Sequence, residues 1–330
     1  MSADLPIHDL DPAAGANVGY LTRPGAPPRL VEQPAPEPAD DEVVVRTRAV
    51  ALNHADLAGA DDGRVAGYEL SGEVVAVGAD VDPTLVGRRV MGTTPGAFAR
   101  FATAHRRHVI AIPDEVSFED AAALPTALLT EHGALTTAGV GPGDTVLLTA
   151  ATSGIGLIGV QLAKLAGCAN VIATTRSEER RALLESVGAT TVVVADGDDL
   201  ADRVLDATGG RGVDVVLDHI GGAMVATCVA ATRVGGVVVS VGRLAGEEGT
   251  VDLMTLAKRE VLLRSVSYGF TPPETIGRLL DGLGPEIIPA VVDGRVRAVV
   301  DRVLPFDRAD EAFEHLRSGR PDGKVVLTGP

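Results

Sequence analysis

The 330-residue sequence predicts an α/β protein in which a doubly wound, parallel six-stranded sheet interrupts a discontinuous, partly closed β domain. Three observations carry that expectation. The chain is longer than one hydrophobic core normally fills, so two domains are the natural division. Its texture changes from short strands broken by Gly and Pro, up to about residue 107, to βα repeats from about 117 to 283. After Pro289 the strand-rich texture returns, so the end of the chain is expected to fold back onto its beginning.

Before residue 18 the chain is rich in Asp, Pro and Ala, and residues 1–17 read as a poorly ordered extension. Short strands follow at 18–22, 42–52, 70–78, 88–92 and 97–103, with turn formers between them, as in antiparallel sheets. Apolar runs near 145–150, 170–175, 191–194, 213–218, 236–241 and 261–267 then alternate with apolar or amphipathic helical stretches. Six such strands with helical crossovers give a parallel sheet. The last stretch adds a strand within 295–305, a helix over 307–318 and a strand at 323–328. The β domain is therefore expected to take 18–118 and 289–330, with the βα domain, 119–288, inserted into it.

Residues 144–168 hold the most specific pattern. A buried strand runs into a turn of small residues, Ala150 to Gly156, and then into a helix with apolar positions at helical spacing. A turn without bulky side chains lets the backbone approach a pyrophosphate. The helix then offers its free N–H groups and the positive end of its dipole. This is the Rossmann-type dinucleotide-binding βα unit. A literal GxGxxG falls on Gly154, Gly156 and Gly159. A fingerprint that starts where the strand ends instead falls on Ala151, Ser153 and Gly156, and that register is preferred because the first position must follow the strand directly. Ala151, Ser153, Gly154, Ile155 and Gly156 are the candidate phosphate contacts. A small-residue turn of this kind also occurs in α/β proteins that bind no nucleotide.

The next strand bears on the choice of cofactor. It ends in Thr174 and Thr175, where an NAD enzyme usually carries an acid for the ribose 2′-OH, and Arg176, Ser177 and Arg180 follow. A 2′-phosphate needs cationic and hydroxyl donors and is repelled by an acid. Thr175, Arg176, Ser177 and Arg180 therefore favour NADP(H) over NAD(H). Ser177 can equally cap the following helix, and the two roles are compatible.

Composition narrows the classes further. A net charge of −16 argues against nucleic-acid and anionic-membrane partners. Cys168 and Cys228 stand apart in apolar helical contexts and read as free thiols, which fits a reducing cytoplasm. No stretch approaches the ~18 apolar residues of a membrane span, and the N-terminus lacks a signal-peptide core.

Several strings resemble the medium-chain dehydrogenase/reductase superfamily, in its zinc-free quinone oxidoreductase and enoyl reductase-like branch. They are ALNHAD at 51–56, GYELSGEVVAVG at 67–78, LPTALLTEHGAL at 124–135, AATSGIGLIGVQLAK at 150–164, GVDVVLDHIGG at 212–222 and GKVVL at 323–327. The resemblance runs from about Val18 to Thr328. It implies a GroES-like catalytic domain beside the nucleotide domain, a cleft between them, and commonly a homodimer. It also implies which residues contact the nicotinamide half of the cofactor: Thr130, Val241, Gly242 and Tyr268, with Lys324 reaching it from the catalytic domain. Two departures are Ala195, where NADPH-binding relatives often have a tyrosine, and Ser153 in place of a usual glycine.

In the zinc-dependent branch the three catalytic ligands would fall on Asn53, Tyr68 and Thr126, none of which is a thiolate or an imidazole. His105 and His108 have a ligand-like spacing but no third partner nearby in sequence, so no metal site is expected. Without zinc, the protein must supply donors to an oxygen that gains charge as hydride arrives. The resemblance makes Tyr68 the candidate donor or proton relay and Asn53 a residue orienting the carbonyl or cofactor, with Asp56 and Glu69 at family positions. A packed core aromatic, for Tyr68, and caps or ion pairs, for Asp56 and Glu69, are the structural alternatives. Residues 57–66 form a short connection between two motifs, which suggests an open mouth and a bulky or carrier-bound substrate. With no Trp, three Tyr and six Phe, a stacking cage for a large quinone is hard to build. The expected function is NADPH-dependent reduction of an activated C=C or quinone, on a small-molecule or carrier-bound substrate. Redox-neutral cyclisation or elimination, and non-catalytic cofactor binding, are the alternatives.

Overall fold

The computed structural model describes residues 16–59, 63–195 and 199–330. Two compact units divide the chain. One comprises the chain up to Thr126, Pro273–Asp281 and Ala298–Pro330; the other comprises Ala127–Pro272 and Gly282–Arg297.

The first unit begins with β1 (Asn17–Leu21) antiparallel to β2 (Arg29–Gln33). It continues with β3 (Glu42–Ala51), β4 (Glu69–Val77), β5 (Arg89–Thr93), β6 (Phe101–His105) and β7 (Val109–Ala111). Helix α1 (Phe118–Ala122) and the start of α2 (Pro125–Ala138) follow. The second unit holds a sheet of β8 (Thr145–Leu148), β9 (Asn170–Thr175), β10 (Thr191–Val194), β11 (Val213–Asp218), β12 (Thr232–Ser240) and β13 (Leu262–Ser265). Its helices are α3 (Gly154–Leu165), α4 (Arg181–Ser186), α5 (Leu200–Ala207), α6 (Met224–Ala231) and α7 (Leu253–Arg259). After α8 (Pro273–Asp281) comes α9 (Ile287–Val292), and the chain returns to the first unit as β14 (Val300–Pro305), α10 (Ala309–Arg317) and β15 (Lys324–Thr328).

The second unit is the expected doubly wound sheet. Its strand order is β10-β9-β8-β11-β12-β13 and every pairing is parallel. The central strands are continuous apolar runs, which is how strands covered on both faces read. Leu147, Ile172, Val193 and Val216 pack with Leu200, Val204, Cys228 and Val229 of α5 and α6. The order reverses between β8 and β11, so their carboxyl ends form the crevice where open α/β sheets take ligands.

In the first unit, β14-β15-β3-β4-β5-β7 form one sheet, with β6 also on β3. The returning segment is locked to the start of the chain. The Tyr20 hydroxyl donates to the Phe306 carbonyl at 2.9 Å, and the Phe98 and Phe313 rings meet edge-to-face at 6.0 Å. These aromatics join Val43, Val45, Leu70 and Leu316 in one core.

Four details differ from the sequence reading. Asn17, assigned to the extension, is the first residue of β1: its amide donates to the Pro34 carbonyl and its Oδ1 accepts the Phe101 amide. Residues 1–15 of that extension lie outside the described residues. The strand expected at 97–103 begins only at Phe101, and β2 and β7 are additional. The strand expected from 295 begins at Val300, because Gln161 takes both backbone groups of Arg297 and so occupies what a neighbouring strand would bond. Residues 119–126 and 273–281, expected within the βα domain, belong to the first unit, and 289–297, expected in the β domain, belong to the second. Arg107 holds α8 in the first unit by pairing with Glu274 at 2.7 Å and Asp281 at 2.6 Å.

Candidate functional site

At the carboxyl end of β8 the chain turns sharply, with Ala150 in the left-handed region at φ +46°. Ser153, at φ −70°, is the N-cap of α3, and its hydroxyl accepts the Gly156 amide at 3.1 Å. A serine is therefore unstrained where a glycine is usual, because the positive φ falls three residues earlier. Gly156 has no such freedom of substitution. A Cβ there would lie 2.7 Å from the Ala150 carbonyl oxygen and from Cα of Ala151. Leu157 N bonds back to Ser153, and among the described residues the amides of Gly154 and Ile155 have no acceptor. Gly156 thus lets α3 start directly against the turn, and the open amides at its N-terminus fit a pyrophosphate.

The end of β9 supplies a second cluster. Thr175 is buried and its hydroxyl accepts the Ser177 amide, while Ser177 Oγ caps the following turn by accepting Glu179 N. Arg181 is taken up by Glu178 and the Val192 carbonyl. Arg180 points back toward the phosphate turn, with Nη1 3.5 Å from Thr152 Oγ1, and Arg176 is exposed beside it. The ends of β11 and β12 are joined because the Val241 and Gly242 amides both donate to the Asp218 carbonyl, at 2.8 and 3.0 Å. Thr130 and Tyr268 are half-buried in the same unit, and burial, with the Glu131 charge, pushes the Tyr268 hydroxyl up to about 12.

The first unit holds a different cluster. Glu69, at the start of β4, is fully buried and accepts from Asn53 Nδ2 at 2.8 Å and from the Thr126 amide at 2.9 Å. It also pairs with the buried ammonium of Lys324, which donates at 2.6 Å to Asn53 Oδ1. Asn53 is thus held at both ends of its amide, in one orientation. Asp56 closes the one-turn helix after β3 by accepting Asn53 N at 2.6 Å. Its other oxygen is buried with no hydrogen-bond partner of ordinary geometry among the described residues, and burial, offset in part by the Asn53 and Gly67 amides, pushes the carboxyl up to about 7. Burial, with the Lys324 charge, also lowers His54. Tyr68 is 42% exposed, so its ring is not a core residue. Of the sequence candidates, Asn53, Asp56 and Lys324 are brought together here, while Ala151, Ser153, Gly154, Ile155, Gly156 and Arg180 converge on the phosphate turn. Among the described residues no group of three His, Cys, Asp or Glu side chains could hold a metal.

Two hubs of the structure escape sequence reasoning. Glu69 stands out in the sequence only as a family position, although it organises Asn53 and Lys324. Glu131 and His219 are not among the sequence candidates, although His219 Nε2 lies 2.5 Å from Glu131 Oε1 with both side chains buried. A carboxylate inside the apolar stretch 124–135, and a histidine next to the acid that ends β11, are the signals that could have found them.

Comparison with known proteins finds relatives among dehydrogenases and reductases. Residues 39–114 match the alcohol dehydrogenase GroES-like domain and residues 154–283 match the zinc-binding dehydrogenase family. The chain is 31% identical over 311 residues to a phenolphthiocerol/phthiocerol polyketide synthase of Mycobacterium tuberculosis, covering 89% of this chain but only 14% of that protein. It thus spans about one-seventh of that relative. Among solved structures it is similar to a quinone oxidoreductase of Pseudomonas syringae (28% identity, TM-score 0.85, covering 96% of this chain and all of the other). It is similar also to the CurK enoyl reductase (27%, 0.84, 96% and 100%) and to mycobacterial Rv1454c complexed with NADPH (30%, 0.84, 95% and 100%).

Proposed function

Because the chain belongs to the medium-chain dehydrogenase/reductase superfamily, we propose that it is an NADPH-dependent, zinc-independent reductase of an activated C=C bond or a quinone. The carrying observation is the turn at 149–156, where Gly156 lets α3 pack directly on the turn, two amides lack acceptors among the described residues and Arg180 reaches Thr152. NADPH, when bound, supplies the hydride. This chain's residues bind it and handle charge: the turn and α3 take the pyrophosphate, and Thr175, Arg176, Ser177 and Arg180 take the 2′-phosphate. Thr130, Val241, Gly242 and Tyr268 are assigned to the nicotinamide half.

As hydride reaches the β-carbon of an enone or enoyl group, negative charge grows on the carbonyl oxygen. A donor already in place lowers that barrier most. Tyr68 is exposed, and Asn53 is fixed by Glu69 and Lys324, so these two are assigned to that oxygen, with Asp56 supporting Asn53 from behind. Lys324 spends two of its three ammonium donors on Asn53 and Glu69, which leaves one for the cofactor contact assigned to it. Asn53, Tyr68 and Thr126, at the zinc-ligand positions, offer no thiolate or imidazole.

The enoyl class, free or carrier-bound, is favoured over large quinones by the similarity to a polyketide synthase and to the CurK enoyl reductase. The exposed edge strand β13, with Leu262 and Leu263 outward, favours a homodimer paired through that edge. The chain's two cysteines are free, which suits a reducing cytoplasm. NADPH oxidation against a panel of enones, enoyl thioesters and quinones, with elemental analysis for zinc, tests the reading. Saturable turnover of an enoyl thioester by zinc-free protein is expected. NADPH binding without oxidation of any acceptor would replace reduction with a redox-neutral reaction or with cofactor binding alone.

A further inference from the structure

The nucleotide-binding unit contains a buried charged pair that phosphate binding as described does not use. Glu131, on α2, is fully buried, and its Oε2 has no hydrogen-bond partner among the described residues. Residue 159 is glycine where that carboxylate passes: a Cβ there would lie 2.4 Å from Glu131 Oε2 and 2.6 Å from Leu148 Cδ2. Glu131 Oε1 meets His219 Nε2, while His219 Nδ1 lies 2.9 Å from the Thr149 carbonyl oxygen. A carbonyl only accepts, so Nδ1 carries a proton. The contact at Nε2 then requires a second proton, shared between imidazole and carboxylate.

The pair is wired to three strand ends. Thr149 Oγ1 accepts the His219 amide at 2.8 Å and donates to Asp218 Oδ1 at 3.0 Å. The Asp218 carboxylate accepts the Ile220 and Gly221 amides, and its carbonyl accepts those of Val241 and Gly242. Glu131, His219, Thr149 and Asp218 therefore join the loops after β8, β11 and β12, the crevice where the strand order reverses. The residue after Thr149 is Ala150, whose positive φ persists only where neighbours fix it.

We propose that Glu131 and His219 are a positioning pair for the nucleotide: the proton shared at Nε2 holds the imidazole in place, its Nδ1–H fixes the Thr149 carbonyl, and the 149–153 turn is thereby kept in the shape that receives the pyrophosphate. The inference rests on the dinucleotide-dependent reading above. The groups facing the pair are Asp218 beside His219, Tyr268 opposite Glu131, and Cys228 of α6 near Asp218. Tyr268 and Cys228 are both pushed upward by burial and stay neutral. Burial alone would lower His219, but the charge and hydrogen bond of Glu131 outweigh it and raise it. A raised histidine holds its proton to higher pH than an ordinary imidazole does and loses it as the pH climbs further. Deprotonation would leave a buried carboxylate without its cation and loosen the imidazole that bonds the Thr149 carbonyl. Affinity should then fall as pH rises.

The test measures NADPH and NADH dissociation constants by calorimetry between about pH 7 and about 9.5, for the full chain and for Glu131→Gln. A glutamine amide can still donate to neutral His219 but shares no proton. For the wild type, both nucleotides should weaken by about tenfold or more across the range, since both carry the pyrophosphate; Glu131→Gln should be flat. In the ligand-free protein, nitrogen NMR should find both His219 ring nitrogens protonated at neutral pH in the wild type and only Nδ1 in Glu131→Gln. Amide exchange at 150–156 should be faster in that variant. An identical pH profile in both proteins, a His219 titrating in the ordinary histidine range, or unchanged exchange would each overturn the proposal. If the wild type binds neither nucleotide, the reductase reading falls, while the NMR and exchange results still decide whether the pair fixes the turn.

Discussion

Replacing Lys324 with Met tests whether the Asn53–Glu69–Lys324 cluster is held together by charge. Methionine keeps most of the side chain's volume and removes the ammonium. Glu69 then loses its cationic partner but keeps the Asn53 side-chain amide and the Thr126 backbone amide. Breaking a buried ion pair by removing one member typically costs about 3–5 kcal/mol, because a buried charge is left uncompensated. Two surviving hydrogen bonds put this case at the low end, near about 3 kcal/mol. For a chain with units of this size that is a fall in Tm of about 6–12 °C. Adding Glu69→Gln should recover most of the loss, since a neutral amide needs no counter-charge and a glutamine can still accept from Asn53 or Thr126. Differential scanning calorimetry on the two single variants and the double variant reads this as a coupling energy. A Lys324→Met protein melting within about 2 °C of wild type would refute the reasoning. So would a double variant no more stable than the single one.

Other expectations follow from the same geometry. If Arg180 and Arg176 hold the 2′-phosphate as proposed, Arg180→Ala and Arg176→Ala should each weaken NADPH about 10- to 100-fold and leave NADH nearly unchanged; equal loss for both nucleotides would mean the arginines act on something else. Asp56 sits at about 7 when folded and near 3.8 when unfolded, so the folded state favours its protonated form: its contribution is greatest at low pH and declines as pH rises from about 4 to about 7. Asp56→Asn should flatten that part of the stability–pH curve, as chemical denaturation across the range would show. Tyr68→Phe should lower turnover of an accepted substrate by about 10²–10³ with NADPH affinity intact, and near-full turnover would remove Tyr68 from the chemistry. A charge on the β13 edge, as in Leu263→Lys, should shift light scattering from dimer to monomer; a wild type already monomeric at micromolar concentration would refute the edge pairing.

What is legible in the sequence is whatever a local pattern encodes. A strand buried on both faces must be apolar throughout, so the central parallel strands announce themselves between Val146 and Val239. A phosphate turn must be made of small residues, so 150–156 stands out, and the cap at Ser153 is compatible with its chemistry. What is not legible is set by partners far away in the chain. Nothing near residue 297 says that its backbone is taken by Gln161, 136 residues earlier, and so the local pattern starts the strand too soon. Nothing near α8 says that Arg107 claims it, 167 residues away through Glu274. The same holds for the site. Asn53 can be picked out by motif, but its orientation depends on Lys324, 271 residues on, and on Glu69, whose burial no window of sequence reveals. Glu131 looks like a solvated helix residue until His219 and the gap at Gly159 are placed beside it. Burial decides each of these cases. An acid in an apolar helix carries a cost unless something distant neutralises it, so a charged residue inside an apolar run is itself a signal that a partner exists, though not which one.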